Sequence, residues 1–169
     1  MNKKSKIIIL RGNSGSGKST AAKLLQNRFG YGTLLISQDM IRREILWVKD
    51  GIGTKAISLL IEMVKYGREN CDVVILEGIL NADWYRELFE QIKVKFDPWI
   101  YAYYYEIPFE ETLIRHRTKP NCNDFGEEEM KRWWKEKDYI GIIPEKIITA
   151  DYSMDKTVDM IFQDIKNEK

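Results

Sequence analysis

Short, continuously apolar runs alternate along the chain with segments whose apolar residues recur every three or four positions. Residues 6–10 carry four apolar side chains in a row after Lys6, the pattern of a strand buried on both faces. A glycine-rich turn follows. A helix is expected near 18–28, with Ala21, Leu24, Leu25 and Arg28 at helical spacing. Residues 33–37 predict a second short strand. Ile41, Ile45 and Val48 then mark a helix, which Gly51 and Gly53 break. Ala56, Leu59, Leu60 and Met63 begin another helix, and residues 72–77 predict a third buried strand. Asn81 can cap a helix carrying Trp84, Leu88 and Ile92. Residues 98–106 form a fourth, tyrosine-rich strand. Pro108, with Glu110 and Glu111 behind it, opens a further helix. Residues 117–126 are polar and loop-like, 127–136 helical, and 145–149 a fifth strand. Val158, Ile161, Phe162 and Ile165 line one face of a last helix. Strands alternating with helices imply parallel βαβ units joined by right-handed crossovers. No repeat, low-complexity tract or linker interrupts them, so residues 1–169 are expected to form one α/β domain.

Composition narrows the function classes. Lys+Arg is 27 and Asp+Glu is 26, so the net charge of +1 gives no global attraction to a phosphate polymer, although a local basic patch is still possible. The longest apolar run, Ile7 to Leu10, spans no membrane, and the basic stretch at residues 1–6 is followed by too few apolar residues for a secretory signal. Cys71 and Cys122 make neither a zinc spacing nor a disulfide framework and fit a reducing, cytoplasmic setting. A single histidine, His116, rules out multi-histidine metal sites within one chain, and its expected role is structural or exposed.

The residues Gly12-Asn13-Ser14-Gly15-Ser16-Gly17-Lys18-Ser19 fit G-x-x-x-x-G-K-[ST], directly after a strand and at the opening of a helix. The glycines let backbone N–H groups turn inward around phosphate oxygens, and the helix N-terminus adds its positive dipole end. Lys18 can bridge β and γ phosphates, Ser19 can offer its hydroxyl to Mg²⁺, and Thr20 can touch the α phosphate. In an open α/β sheet ligands bind at the carboxyl ends of strands. The second strand ends at Ser37-Gln38-Asp39, and Asp39 and Arg42 share a face if both are helical. An acid placed to accept a hydroxyl proton, beside an arginine able to hold an anionic group, suits phosphoryl transfer to an alcohol. The plainer reading makes Asp39 an N-cap and Arg42 a solvated helix residue. The third strand ends at Glu77-Gly78, where the carboxylate can bind a magnesium water, orient substrate, or simply face solvent.

Arg115, Arg117 and Lys119 close a helix and enter the polar loop. They complement the helix dipole, or they form a lid over a triphosphate, placed at about residues 115–131. Trp133 and Trp134 cannot both face one core. The turn Ala150-Asp151-Tyr152 follows the fifth strand, where a nucleotide base commonly sits in this fold class.

From Lys6 to about Ile165 the chain resembles the small P-loop kinases. This cluster contains bacteriophage-type polynucleotide 5′-kinase, adenylylsulfate kinase, chloramphenicol phosphotransferase and zeta-toxin-like kinases. The loop Gly12 to Thr20, the Asp39-x-x-Arg42 pair and the Arg115/Arg117 region carry the resemblance. It implies a three-layer αβα sandwich, with a five-stranded parallel sheet in order 2-3-1-4-5 and a small lid. It also implies ATP and Mg²⁺ as cofactors, Asp39 as general base and Arg42 as substrate-side anchor. The polynucleotide enzymes have two lid arginines four apart. Here Lys119 stands four after Arg115, with Arg117 between them, so the second lid cation is either Arg117 or Lys119. Glu77-Gly78 is closer to the small-molecule kinases. The resulting expectation is an ATP-dependent kinase acting on a hydroxyl of a nucleoside, antibiotic or sugar-like acceptor. A polynucleotide 5′-hydroxyl kinase is the alternative, and a nucleotide-binding switch without a dedicated acceptor is a third reading.

Overall fold

The computed structural model describes residues 4–167. The start of the basic N-terminal stretch, residues 1–3, lies outside it. Five strands appear where the apolar runs place them: β1 (Lys6–Gly12), β2 (Leu34–Ser37), β3 (Val73–Gly78), β4 (Ile100–Glu106) and β5 (Glu145–Thr149). All neighbours pair in parallel, in the order β2-β3-β1-β4-β5. The central strand, β1, is flanked by β3 through Ile8↔Ile75 and by β4 through Ile8↔Tyr101. The loop after β1 therefore opens at the point where the strand order reverses, the position at which doubly wound sheets bind ligands.

Strand alternation sorts the core into two halves. Ile7 and Ile9 face one side, with Val74 and Leu76, under α3 (Ala56–Asn70) and α4 (Arg86–Phe96), whose Leu60, Val64, Phe89 and Ile92 cover them. Ile8 and Leu10 face the other, under α1 (Lys18–Phe29) and α7 (Met154–Asn167), through Ala21, Leu25, Val158, Ile161 and Ile165. A sheet covered on both faces needs the unbroken apolar runs that its strands carry.

Three elements depart from the sequence reading. The helix expected through Val48 is shorter: α2 (Gln38–Met40) runs into one π-helical turn, Ile41–Ile45. Leu46 N–H closes that wide turn on Ile41 O at 2.9 Å, and Trp47 then adopts φ 51° while Val48 N–H bonds back to Arg42 O. A left-handed backbone costs a non-glycine residue on the order of 1–2 kcal/mol. Trp84 lies in a turn ahead of α4, where Asn81 Oδ1 accepts from the amides of Asp83 and Trp84. The α5 helix (Phe109–Arg117) is as expected, but α6 (Glu127–Trp133) stops before residue 136 because Trp134 turns extended at ψ 131°. No helix among the described residues is long and apolar enough to cross a membrane.

Candidate active site

The phosphate loop is built by β1 and α1. Gly15 and Gly17 take φ 79° and 99°, values that put amides on the inner side of the turn and that other residues resist. A Cβ on Gly15 would also lie 2.6 Å from the Thr112 carbonyl of α5, so the loop and that helix touch. Lys18 is nearly buried. Its Nζ donates to Asn13 O at 2.8 Å and Ser16 Oγ at 3.1 Å, both oxygens of the loop itself. Burial pushes the Lys18 ammonium down to about 8, with Glu77 the strongest opposing influence.

Glu77, at the end of β3 and buried, accepts from two hydroxyls: Ser19 to Oε2 at 3.1 Å and Ser37 to Oε1 at 2.6 Å. Of the readings open for this acid, the solvent-facing one does not hold. A serine hydroxyl and a carboxylate at the mouth of the phosphate loop are the hard oxygen donors that would suit Mg²⁺.

Asp39 is half exposed at the sheet's carboxyl end. Ser37, not Asp39, caps the short helix, its Oγ accepting from Met40 N–H at 3.4 Å. The Asp39 carboxylate is instead held by Arg42 Nη2 at 2.9 Å and faces Arg43 Nε at 3.3 Å. Behind it, Gln38 is buried in a polar cluster. Its Nε2 donates to Asp50 and to Tyr85 Oη, and Tyr85 Oη donates to Asp50 at 2.6 Å. Gly78 leaves room for it, since a Cβ there would lie 2.7 Å from Gln38 Cβ.

The three candidate lid cations separate. Arg115 Nη1 donates to Ser16 O at 2.8 Å, and its Nε pairs with Glu111, so α5 delivers a guanidinium directly to the phosphate loop. Arg117 is exposed, and its field falls on Glu127. Lys119 is turned back by a hydrogen bond from its amide to His116 O, and lies within electrostatic reach of Lys18, Glu77 and Asp39. Burial lowers its pKa, and the two carboxylates oppose that shift.

His116 is buried and structural. Its Nε2 donates to Phe125 O at 2.9 Å and its ring stacks on Phe125, which also meets Trp133. Trp134 packs on Phe109 on the other side. The turn containing Asp151 and Tyr152 leads into α7, whose Met154 lies beside Gly17.

Two contributors escaped the sequence reading. Arg11 is fully buried just before the phosphate loop. It donates to Leu80 O through Nε and Nη2, to Asp138 at 2.9 Å and to Glu145 at 2.8 Å, between the rings of Phe89 and Tyr104. Asn13 clasps the chain beyond the lid, its Nδ2 donating to Lys135 O at 2.8 Å and its Oδ1 accepting from Lys135 N–H at 3.0 Å.

No protein-family model matches the chain, nor does any curated protein. Solved structures do. The APS kinase of Mycobacterium tuberculosis in complex with AMPPNP and APS superposes with a TM-score of 0.67 at 16% identity, over 97% of this chain and 99% of that one. A gluconokinase from Sinorhizobium meliloti gives 0.66 at 14% identity, over 98% and 94%. The shikimate kinase of Acinetobacter baumannii in complex with shikimate gives 0.64 at 16% identity, over 99% and 96%. Identities this low speak for architecture alone, and the architecture of this chain is that of the small P-loop kinases.

Proposed function

We propose that the protein is an ATP-dependent phosphotransferase that moves the γ-phosphoryl group to a hydroxyl of a small-molecule acceptor. The observation that carries this reading is a carboxylate, Asp39, held by arginines at the same sheet edge as the phosphate loop, with Lys119 within reach of both. A nucleotide switch needs neither that base nor those arginines, and a net charge of +1 suits a small acceptor better than a polynucleotide.

In this reading the loop amides and Lys18 hold the phosphates. Ser19 and Glu77 are the residues that would hold Mg²⁺, which when bound neutralises charge on the β and γ oxygens. Arg115 is already seated on the loop backbone and needs only to exchange Ser16 O for a phosphate oxygen. Asp39 accepts the acceptor's hydroxyl proton as the new O–P bond forms and the bond to the β-phosphate oxygen breaks, with ADP leaving. Arg42 holds and aims Asp39 through Nη2. Phosphoryl transfer is mostly positioning and charge stabilisation, so the base contributes to chemistry more than to binding.

The test is Asp39→Asn, assayed with labelled ATP against nucleosides, antibiotics, sugars, sugar acids and 5′-hydroxyl oligonucleotides. With the acceptor that wild type uses, transfer should fall by about 10²–10⁴ while ATP affinity by calorimetry is unchanged. Full transfer by Asp39→Asn, with chemistry shown to be rate-limiting, would remove Asp39 from the mechanism. Labelling of oligonucleotides alone, steeply salt-sensitive, would replace the small acceptor with a polymer.

A further inference from the structure

The segment that carries Asp39 also carries side chains out of place in water. Met40, Ile45, Trp47 and Ile52 are 52%, 57%, 90% and 87% exposed, four large apolar residues within the thirteen positions that follow the base in the chain. Scattered exposed apolar residues are ordinary, but a group beside a binding site is not. The most exposed of the four, Trp47, is also held in a left-handed backbone that glycine or asparagine would adopt more readily. It is tied to the anchor. Val48 N–H donates to Arg42 O at 2.8 Å, and Arg42 Nη1 donates back to Val48 O at 3.4 Å, so the indole is one residue from the backbone that grips the Arg42 guanidinium.

Charge gives the second half of the recognition. One carboxylate, Asp39, lies against two guanidiniums, and Lys119 adds a third cation within reach. The nearby Asp50 does not offset them at close range, because its carboxylate is engaged by Gln38, Tyr85 and the amide of Gly51. Arg43 is further steadied over the Phe125 ring at 5.5 Å. Asp39 and the buried Glu77 together carry less charge than Arg42, Arg43, Lys119 and Lys18 supply, and the excess favours an anion.

We propose that the acceptor is an anionic hydroxyl compound with a flat ring body, its anionic group held by Arg42 and Arg43 and its ring laid on the Trp47 indole. This deepens the phosphotransferase reading and rests on it. Four compounds separate the two features: uridine 5′-monophosphate has the anion and the ring, uridine the ring alone, ribose 5-phosphate the anion alone, and ribose neither. Binding is measured by calorimetry on protein loaded with Mg²⁺ and a non-hydrolysable ATP analogue. Uridine 5′-monophosphate should bind best. Trp47→Ala should weaken uridine 5′-monophosphate and uridine by about 10-fold and leave ribose 5-phosphate unchanged, with Trp47→Phe restoring most of the loss. Arg43→Gln should weaken the two phosphates only. Trp47 is outside the core, so these variants should melt with wild type. The proposal is overturned if none of the four binds to protein that has taken up the ATP analogue, if ribose 5-phosphate binds as well as uridine 5′-monophosphate, or if Trp47→Ala weakens all alike. A Trp47-dependent dimer in sedimentation would overturn it too, by giving the apolar group another occupant. Failure to bind Mg²⁺ and the ATP analogue at all would instead strike the underlying kinase reading.

Discussion

Nucleotide binding should draw a proton onto Lys18, and the effect is large enough to measure. In the free protein the ammonium is buried against Asn13 O and Ser16 Oγ, and its pKa falls to about 8. At pH 7 about nine molecules in ten carry the charge, at pH 8 half do, and at pH 9 about one in ten. The phosphates of a bound nucleotide bring negative charge to the same atom and restore the charged form. Between pH 7 and pH 9 the dissociation constant should therefore rise about tenfold, or ~1.4 kcal/mol, and about half a proton should be taken up per nucleotide at pH 8. Calorimetry in two buffers of different ionisation enthalpy reads that uptake directly. Lys18→Arg stays charged throughout and should show none. Lys119→Ala removes a cation that lowers the Lys18 pKa, so the uptake should move to higher pH. The linkage also has a sign for stability. The folded pKa lies below the unfolded value of 10.5, so the unfolded chain binds more protons from about pH 8 upward, and the free protein gains stability from Lys18 as pH rises through that window. Nucleotide binding by wild type with no buffer-dependent proton uptake between pH 7 and 9 would refute the argument.

Arg11→Met should cost about 3–5 kcal/mol, because Glu145 is left buried without its cation and Asp138 keeps only Lys135, and should lower the melting temperature by about 10 °C. Adding Asp138→Asn and Glu145→Gln should recover part of the loss in chemical denaturation, and a cost for Arg11→Met alone below about 1 kcal/mol would contradict the network. Glu77→Gln should raise the Mg²⁺ concentration needed for half-maximal nucleotide binding by about 10–100-fold, while tightening Mg²⁺-free ATP binding through loss of a negative charge. An unchanged Mg²⁺ titration would place the metal elsewhere.

The strands β1, β3 and β4 were readable because they are buried on both faces and so carry long apolar runs, and the phosphate loop because its glycines and lysine stand at fixed spacing. Arg11 was missed because a cation after an apolar run looks like the strand's end. The alternation Ile7, Ile9, Arg11 was the available signal that it continues one inner face. The choice between Arg117 and Lys119 could not be read from spacing, since helix α5 ends between them and a turn on His116 O swings only Lys119 back. The helix predicted through Val48 failed at the π-turn: Ile41, Ile45 and Val48 keep a helical apolar period, but Leu46 N–H closes a wider ring on Ile41 O and Trp47 turns left-handed. The polar cluster of Gln38, Asp50 and Tyr85 joins residues far apart in the chain, and no local pattern announces it.

The Asn13–Lys135 clasp makes the two ends of the lid unequal. At the leading end, the Arg115 side chain donates to Ser16 O of the phosphate loop, and Thr118 and Lys119 make turn hydrogen bonds to the α5 carbonyls just behind them. At the trailing end, both backbone polar groups of Lys135 are fastened to a residue of the phosphate loop, and the Lys135 ammonium spans Asp83 and Asp138. A flap hung in this way is tied by a side chain at one edge and by main chain at the other, with Phe125 held to His116 between them. Extra residues between 119 and 124 would only lengthen the loop ahead of Phe125, whereas a single insertion between 133 and 138 would pull Lys135 off Asn13. The first stretch is where this scaffold can vary the size of its cover and still keep the loop beneath it in register.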